Sequence, residues 1–173
     1  MKKILLSIAI ILTSLGVFAQ GKVVTGYFNE LADDDAFTKV SVSSKMFSLF
    51  TELEAGSEEE KEFLKAISKL KGLKIIAADS IPNSAAMYKK ATQDVETAGY
   101  EELMSVKDAE ENMKFSIKDK NGIIEELIMV VGGNKHFVLL SLYGEIDLKN
   151  ISKIARSMNV GGLDNLGKLN ADD

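Results

Sequence analysis

The segment 100–143 constrains the fold more than any other part of the chain. Residues 113–118 alternate between apolar and polar side chains, which is typical of a strand with one buried face. Asn121-Gly122 follows, and this pair predicts a hairpin because a type I′ turn needs positive φ at both central residues. The segment therefore predicts neighbouring antiparallel strands.

Two later runs, 123–131 and 137–143, are apolar on both sides of the strand. Strands of this kind are expected in the centre of a sheet, covered by helices. Earlier in the chain, residues 37–42 alternate and predict a first strand, and residues 73–78 predict another. Together these segments favour a mostly antiparallel sheet of about five to six strands.

Helical periodicity fills the gaps between these strands. Apolar residues recur every three or four positions over 46–53, and a short helix is expected near the start of the domain. Ser57 and Glu60 have the spacing of a capping box, and Gly72 is predicted to end that helix as its C-cap. Pro82 predicts the first turn of a further helix. The fold class is α+β, with one layer of helices packed on the sheet.

The first 19 residues predict a Sec signal peptide. Lys2 and Lys3 precede an apolar run to Phe18, and Val17-Phe18-Ala19 suits cleavage after Ala19. A retained membrane anchor is the alternative, but the run is shorter than the roughly 20 residues that a spanning helix needs. We expect one domain at 20–160 and a flexible tail at 161–173. The last helix is expected to begin at Asp147.

Charge and composition exclude several classes of function. The net charge is −5, and removal of Lys2 and Lys3 leaves 19 basic against 26 acidic residues, a net charge of −7. An acidic chain repels phosphate backbones, so nucleic acid is not an expected partner. The absence of cysteine removes disulfides and thiolate zinc sites, and it argues against a lipoprotein. No transmembrane segment is expected after cleavage, which predicts a periplasmic or secreted protein.

Three residues are candidates for chemistry. His136 is the only histidine; it is either a general base or a partly exposed residue at a strand end. Glu125 and Glu126 interrupt an apolar strand, so one of them must point toward a covered face. They could form a carboxylate pair for acid/base work, or a salt bridge with a lysine such as Lys114 or Lys118.

No other cluster predicts a metal or cofactor site. Residues 33–35 are three aspartates but lack the ligand spacing of a calcium loop, so a solvated turn is expected. No phosphate-binding loop, dinucleotide fingerprint or nucleophile elbow is present, and no cofactor is expected. The methionines and aromatic residues have core spacing, although a hydrophobic groove for a partner would show the same pattern.

Five segments in a fixed order span nearly all of the chain after residue 19. They are Val40-Ser41-Val42-Ser43-Ser44-Lys45-Met46-Phe47, Gly72-Leu73-Lys74-Ile75-Ile76, Tyr100-Glu101-Glu102-Leu103-Met104, Glu126-Leu127-Ile128 and Leu142-Tyr143-Gly144-Glu145-Ile146-Asp147-Leu148. This ordered series resembles the bacterial exported family known as domain of unknown function 4252 (DUF4252). The resemblance implies export and a compact α+β domain, and it brings no activity or catalytic residues.

Three functional hypotheses follow. The first is a non-enzymatic exported domain that binds a protein partner or a small envelope ligand. The second is a hydrolase-type enzyme that uses Glu125, Glu126 or His136. The third is a structural envelope component that self-associates through residues 100–107 as an edge strand.

Overall fold

A computed structural model describes residues 21–52 and 56–147, apart from the side chain of Glu59. The predicted signal peptide, the last helix and the tail lie outside these residues. The helices are α1 (Lys22–Glu30), α2 (Ser44–Phe50), α3 (Glu58–Ile67) and α4 (Ser84–Thr97). The strands are β1 (Thr38–Ser43), β2 (Leu70–Ala78), β3 (Glu101–Lys107), β4 (Glu111–Lys120), β5 (Ile123–Gly133) and β6 (Phe137–Ile146).

The six strands form one sheet in the order β1-β2-β6-β5-β4-β3. All neighbouring pairs are antiparallel, which confirms the predicted α+β class. The strands β3 to β6 form the predicted meander, and β2 then pairs with β6. The two strands that are apolar on both sides, β5 and β6, are interior strands as expected.

The predicted hairpin turn and the predicted capping box are confirmed. Asn121 and Gly122 have φ values of 55° and 78°, as a type I′ hairpin requires. The Ser57 side chain accepts a hydrogen bond from the backbone N–H of Glu60, and the Glu60 carboxylate accepts one from the N–H of Ser57. This reciprocal pair fixes the start of α3.

The prediction that Gly72 ends this helix is wrong. The helix ends at Ile67, and Gly72 lies inside β2, directly opposite Tyr143 of β6. The ring of Tyr143 occupies the space that a side chain at position 72 would need. Glycine is therefore required here by close packing across two strands, and this requirement has no signal in the local sequence.

Helices cover both faces of the sheet, whereas the sequence predicted one layer. One face, the α1/α4 face, carries the inward residues Ile76, Ile128 and Leu139 and packs against α1 and α4. The opposite face, the α2/α3 face, carries Leu127 and Met129 and packs against α2 and α3. Side chains from β5 and β6 are buried on both faces, so this sheet is the middle layer of the domain.

The polar side of β4 differs from the expectation of a wet face. Ser116 is only 3% exposed, and it lies on the side covered by α4. Lys114 remains at the border of this side and forms ion pairs with Glu96 and Glu102 at 2.7 and 2.9 Å. These two carboxylates raise the pKa of Lys114. Because α4 crosses this side of β4, the polar face of the strand is partly buried.

The first helix is held by the rest of the domain. Val24 is completely buried, and the Thr25 hydroxyl accepts a hydrogen bond of 2.6 Å from Lys74 of β2. Beyond the last turn, Lys39 donates to the carbonyl oxygens of Leu31 and Asp34 at 2.8 and 3.0 Å, where a cation suits the helix dipole. The start of the described chain is thus an integral part of the fold.

Candidate functional site

A buried carboxylate lies on the α1/α4 face, near the start of β5. Glu126 of β5 is 0% exposed. Its Oε2 accepts hydrogen bonds from the backbone N–H of Gly21 at 2.8 Å and from the Tyr100 hydroxyl at 2.7 Å. Its Oε1 accepts one from the Ser141 hydroxyl at 2.6 Å. Three donors and two carboxylate oxygens therefore meet in one closed cluster, the Glu126 cluster.

Four elements bring this cluster together. Glu126 lies on β5 and Ser141 on the adjacent β6, while Tyr100 follows α4 and Gly21 precedes α1. Gly21 has a φ of 74° and is the N-cap residue of α1. The carboxylate thus lies at the helix N-terminus, where free N–H groups and the helix dipole favour negative charge.

The Tyr100 hydroxyl is held in its protonated form. Burial, the hydrogen bond to Glu126 and the charge of that carboxylate together raise the pKa of Tyr100 strongly. Its hydroxyl therefore stays a donor at ordinary pH. The ammonium of Lys118 lies 5.0 Å from the centre of the Tyr100 ring and donates to the carbonyl oxygen of Ala98 at 3.3 Å. Lys118 therefore contacts the face of the aromatic ring.

The structure separates the two predicted glutamates. Glu126 points to the covered face, as one of them was expected to do. At Glu125 the register of β5 on β4 shifts, because Lys118 pairs with Glu126 and Asp119 pairs with Ile124. Glu125 is therefore the extra residue of a β-bulge. It is half-buried and its carboxylate does not join the cluster.

The predicted salt bridge does not hold Glu126. In the part of the chain that the structure describes, no lysine nitrogen lies within ion-pair distance of its carboxylate. Lys114 is paired with carboxylates near α4 instead. A polar group that is fully removed from water must be hydrogen-bonded to be tolerated, and here two hydroxyls and a backbone N–H satisfy it.

His136 lies at the other end of the sheet. Along β5, Glu126 pairs with Tyr143, and Gly132 pairs with Phe137, the residue that follows His136. Glu126 and Gly132 are six positions apart, so the usual rise of a strand separates the two sites by about 20 Å. His136 is exposed, and its Nδ1 lies 2.6 Å from Oδ1 of Asp79. The three candidate residues therefore do not form one site.

A strained residue lies beside this histidine. Ser80 follows Asp79 and has a φ of 60°, a conformation that costs energy for a residue other than glycine. The backbone N–H of Ile81 donates to the carbonyl oxygen of Lys135 at 3.0 Å, which ties the two loops together. An aspartate, a histidine and a serine thus share one exposed corner of the domain.

Apolar side chains of α2, the helix over the α2/α3 face, are exposed to solvent. α2 packs Phe47 against the core of the α2/α3 face, but its neighbours Met46, Leu49 and Phe50 are 46%, 46% and 40% exposed. We call these three residues the α2 patch. The next helix in the chain, α3, packs on the same core, carries the exposed Phe63 and begins with three glutamates. Exposed apolar patches with polar surroundings are a feature of binding surfaces.

The described residues 21–52 and 56–147 contain no group of three or more His, Cys, Asp or Glu side chains that could hold a metal ion. Within the same ranges, none of the helices has the length and apolar character needed to cross a membrane. All buried side-chain nitrogen and oxygen atoms of these residues have hydrogen-bond partners. The polar interior is therefore fully satisfied by the protein itself.

Sequence reasoning did not find the partners of Glu126. Gly21 is separated from it by 105 residues and Tyr100 by 26. Ser141 has the clearest signal, because it is a polar residue inside an otherwise apolar central strand. The pairing of His136 with Asp79 was also missed, since the two residues are 57 positions apart.

In residues 21–52 and 56–147, a six-stranded antiparallel sheet lies between two pairs of helices, and this arrangement defines an α+β domain. The model of the family described as "Domain of unknown function (DUF4252)" matches residues 27–154. The match covers most of the chain, and the protein belongs to this family. Searches of curated proteins and of solved structures gave no match.

Proposed function

We propose that this protein is an exported, non-enzymatic domain that binds a partner protein through the α2 patch. The observation that carries the proposal is the contrast within α2, where one aromatic side chain anchors the helix to the core and three large apolar side chains face solvent. A helix of seven residues gains little by exposing them. Phenylalanine and methionine are enriched in protein interfaces.

Charge supports a protein partner with a basic, apolar segment. The first part of α3 carries Glu58, Glu59 and Glu60, and the whole chain has a net charge of −5. Such a surface repels anionic lipid and nucleic acid but attracts a positively charged segment. Apolar contact at the α2 patch and charge complementarity at α3 would then act together.

Export is supported by the first 19 residues, which have the basic, apolar and small-residue regions of a signal peptide in the correct order. The absence of cysteine is consistent with a domain that is free in the periplasm or outside the cell. Mass spectrometry of the protein recovered from the periplasm and from the medium tests this part. A chain that begins at Gln20 supports it, and a chain that retains residues 1–19 contradicts it.

The binding proposal is tested by capture with a matched control. The mature domain, its Met46→Ser/Leu49→Ser/Phe50→Ser variant and a Val106→Ser/Ile123→Ser variant are each used as bait in envelope extract. Val106 and Ile123 are also exposed apolar residues, at 38% and 49%, but they lie on β3 and β5. A captured protein is then purified and its affinity is measured by calorimetry at low and high salt.

The proposal expects one partner that binds the native domain and the control variant, fails to bind the α2 variant and weakens with salt. Equal binding by both variants would contradict a role for the α2 patch.

Light scattering of the purified domain tests self-association in the same samples. β3 is an edge strand, as predicted, but a register shift between Glu102 and Met104 disfavours pairing with a second copy.

The exposed pair of Asp79 and His136 favours a second candidate function, a hydrolase. An aspartate on Nδ1 orients a histidine for base catalysis at its other nitrogen, and Ser80 is next in the chain. If this function holds, Asp79→Asn and His136→Ala each abolish turnover of an ester substrate without changing the melting temperature. Unchanged turnover in both variants would exclude these residues as catalytic residues.

A further inference from the structure

The sheet has two edge strands, β1 and β3, and they differ in how well they are protected. β3 has a register shift between Glu102 and Met104, and it carries charged side chains at both ends. Both features discourage a further strand from pairing. β1 pairs with β2 over six consecutive residues without a shift, and its only charged residue is Lys39. β1 is therefore the less protected edge.

The ammonium of Lys39 is held by the loop before β1. It donates to the carbonyl oxygens of Leu31, Ala32 and Asp34 at 2.8, 3.2 and 3.0 Å. In a regular antiparallel ladder, every second residue directs its N–H and C=O groups away from the neighbouring strand. Within the described chain, β1 has a neighbouring strand on one side only. Its outer side therefore presents a row of backbone groups to which another strand can bind.

The side chains of β1 fit a second copy of the same strand. Thr38, Val40 and Val42 lie on the α2/α3 face, because Val42 pairs with Leu73 of that face and alternate residues share a face. Val40 is 40% exposed. Antiparallel pairing about Val40 places the two Val40 residues opposite each other, and it places Thr38 opposite Val42 on both sides. All three are β-branched, and such side chains pack well against neighbours across a strand pair.

The charges around β1 also suit antiparallel pairing. The aspartates at 33–35 come before β1 and the lysine Lys45 comes after it, and all four residues are exposed. Antiparallel pairing brings the start of one β1 beside the end of the other, so the aspartates of each copy lie near Lys45 of the other copy. Lys39 of each copy lies opposite Ser41, which keeps the two Lys39 side chains apart. The surface is therefore complementary to itself in charge.

We propose that this protein forms a two-fold symmetric dimer through β1, in which two six-stranded sheets join into one continuous sheet. Each copy contributes the same surface, as two-fold symmetry requires. The inference goes beyond the proposed function, which concerns a different partner at the α2 patch. The two-fold axis is perpendicular to the sheet, so the dimer presents two α2 patches on the same side. Two linked patches bind a partner that has two sites more tightly than one patch does.

Sedimentation equilibrium of the purified protein tests the dimer. Concentrations from about 1 µM to about 1 mM are needed, because a short strand pair is a small interface. Val40→Glu places two carboxylates opposite each other, and we expect it to weaken the dimer about tenfold or more. An equimolar mixture of Val40→Glu and Val40→Lys should recover the dimer, because the opposed charges then attract.

The matched control is Val106→Glu. Val106 is also an exposed valine on an edge strand, at 38%, and it lies opposite the apolar Met113. This substitution adds the same charge to the other edge of the sheet, so it should change the dissociation constant of the dimer by less than about twofold.

Single cysteines test the register without adding a charge. The protein has no cysteine, so Val40→Cys introduces one thiol per copy. Directly opposite cysteines are close enough to form a disulfide, whereas diagonal neighbours are about 7–8 Å apart. Val40→Cys is therefore expected to give a covalent dimer under mild oxidation. Ser41→Cys on the same strand is not, because Ser41 lies opposite Lys39.

A protein that stays monomeric over the whole concentration range overturns the inference, and it would leave this edge free for an extended segment of another protein. A dimer that persists in Val40→Glu also overturns it. If that dimer dissociates in Met46→Ser/Leu49→Ser/Phe50→Ser, the contact lies at the α2 patch. Should Val40→Glu fail to fold, the cysteines decide: cross-linking of Val40→Cys alone supports the inference, and equal cross-linking of both cysteine variants overturns it.

Discussion

The two faces of the sheet differ in what they bury and in what they leave open. The α1/α4 face encloses a carboxylate whose three partners come from distant parts of the chain, and α1 is tied to the strands by Lys74 and Lys39. The α2/α3 face is apolar, and the helix over it exposes three of its large side chains. The α1/α4 face is therefore held together by contacts within the domain, whereas the α2/α3 face is suited to contact another molecule.

The largest expected effect is at the Glu126 cluster. Glu126→Ala leaves a backbone N–H and two hydroxyls buried without an acceptor. We expect it to lower the free energy of unfolding by about 3–5 kcal/mol, measured by urea denaturation. Glu125→Ala, which removes a carboxylate from the neighbouring bulge, should cost less than about 1 kcal/mol. Similar losses of stability in Glu126→Ala and Glu125→Ala would show that burial on the α1/α4 face does not set the cost of removing a glutamate.

A second prediction concerns the tight packing of β2 against β6. In Gly72→Ala the new methyl group meets the ring of Tyr143, and we expect a loss of about 1–3 kcal/mol. Combining it with Tyr143→Leu should recover part of this loss, because the smaller side chain leaves room. Additive losses in the double variant would contradict a direct clash.

The contact between the two helices of the α1/α4 face predicts a pH dependence. Burial and the hydrogen bond to Asp94 raise the pKa of Tyr27 from 10.0 to about 12. A raised pKa of an acid means that the folded state favours the protonated form. The contribution is therefore complete below pH 10 and is lost as the pH rises toward 12.

Tyr27→Phe removes the hydrogen bond of 2.8 Å to Asp94 and should cost about 1 kcal/mol at neutral pH. Above pH 10 the difference from the native protein should shrink. Unfolding curves at neutral and alkaline pH measure both effects. A constant difference across this range would show that Tyr27 does not titrate with unfolding.

The smallest effect on stability is expected at the α2 patch. Met46→Ser, Leu49→Ser and Phe50→Ser should each change the free energy of unfolding by less than about 0.5 kcal/mol, because these side chains are already in contact with water. Phe47→Ser, on the buried side of the same helix, should cost more. A large loss from any of the three exposed substitutions would mean that the patch serves the fold.

Local signals predicted much of the fold. The hairpin at Asn121 and the capping box at Ser57 depend on neighbouring residues alone, and both are confirmed. Gly72 and Ser116 were misjudged because their surroundings are set by Tyr143 and by α4, which are distant in sequence. The side of the sheet that a helix covers depends on how the chain crosses over it, and no periodicity encodes this.

The candidate site was predicted less well than the fold. The interruption of an apolar strand pointed to Glu126 and required that one glutamate face a covered surface. Its partners could not be derived, since Gly21 and Tyr100 meet it only after β6 and both covering helices are in place. For the same reason Asp79 could not be assigned to His136.

The pairing of β2 with β6 also affects the time at which the domain can fold. The chain is synthesised from its N-terminus, but residues 70–78 acquire their inner neighbour only when residues 137–146 are available. Contacts between such distant segments make folding slow. The sheet therefore cannot be completed until residues 137–146 have been made, and a chain that has not completed its fold suits the proposed Sec export. The order of the strands would thus give the proposed export its time window.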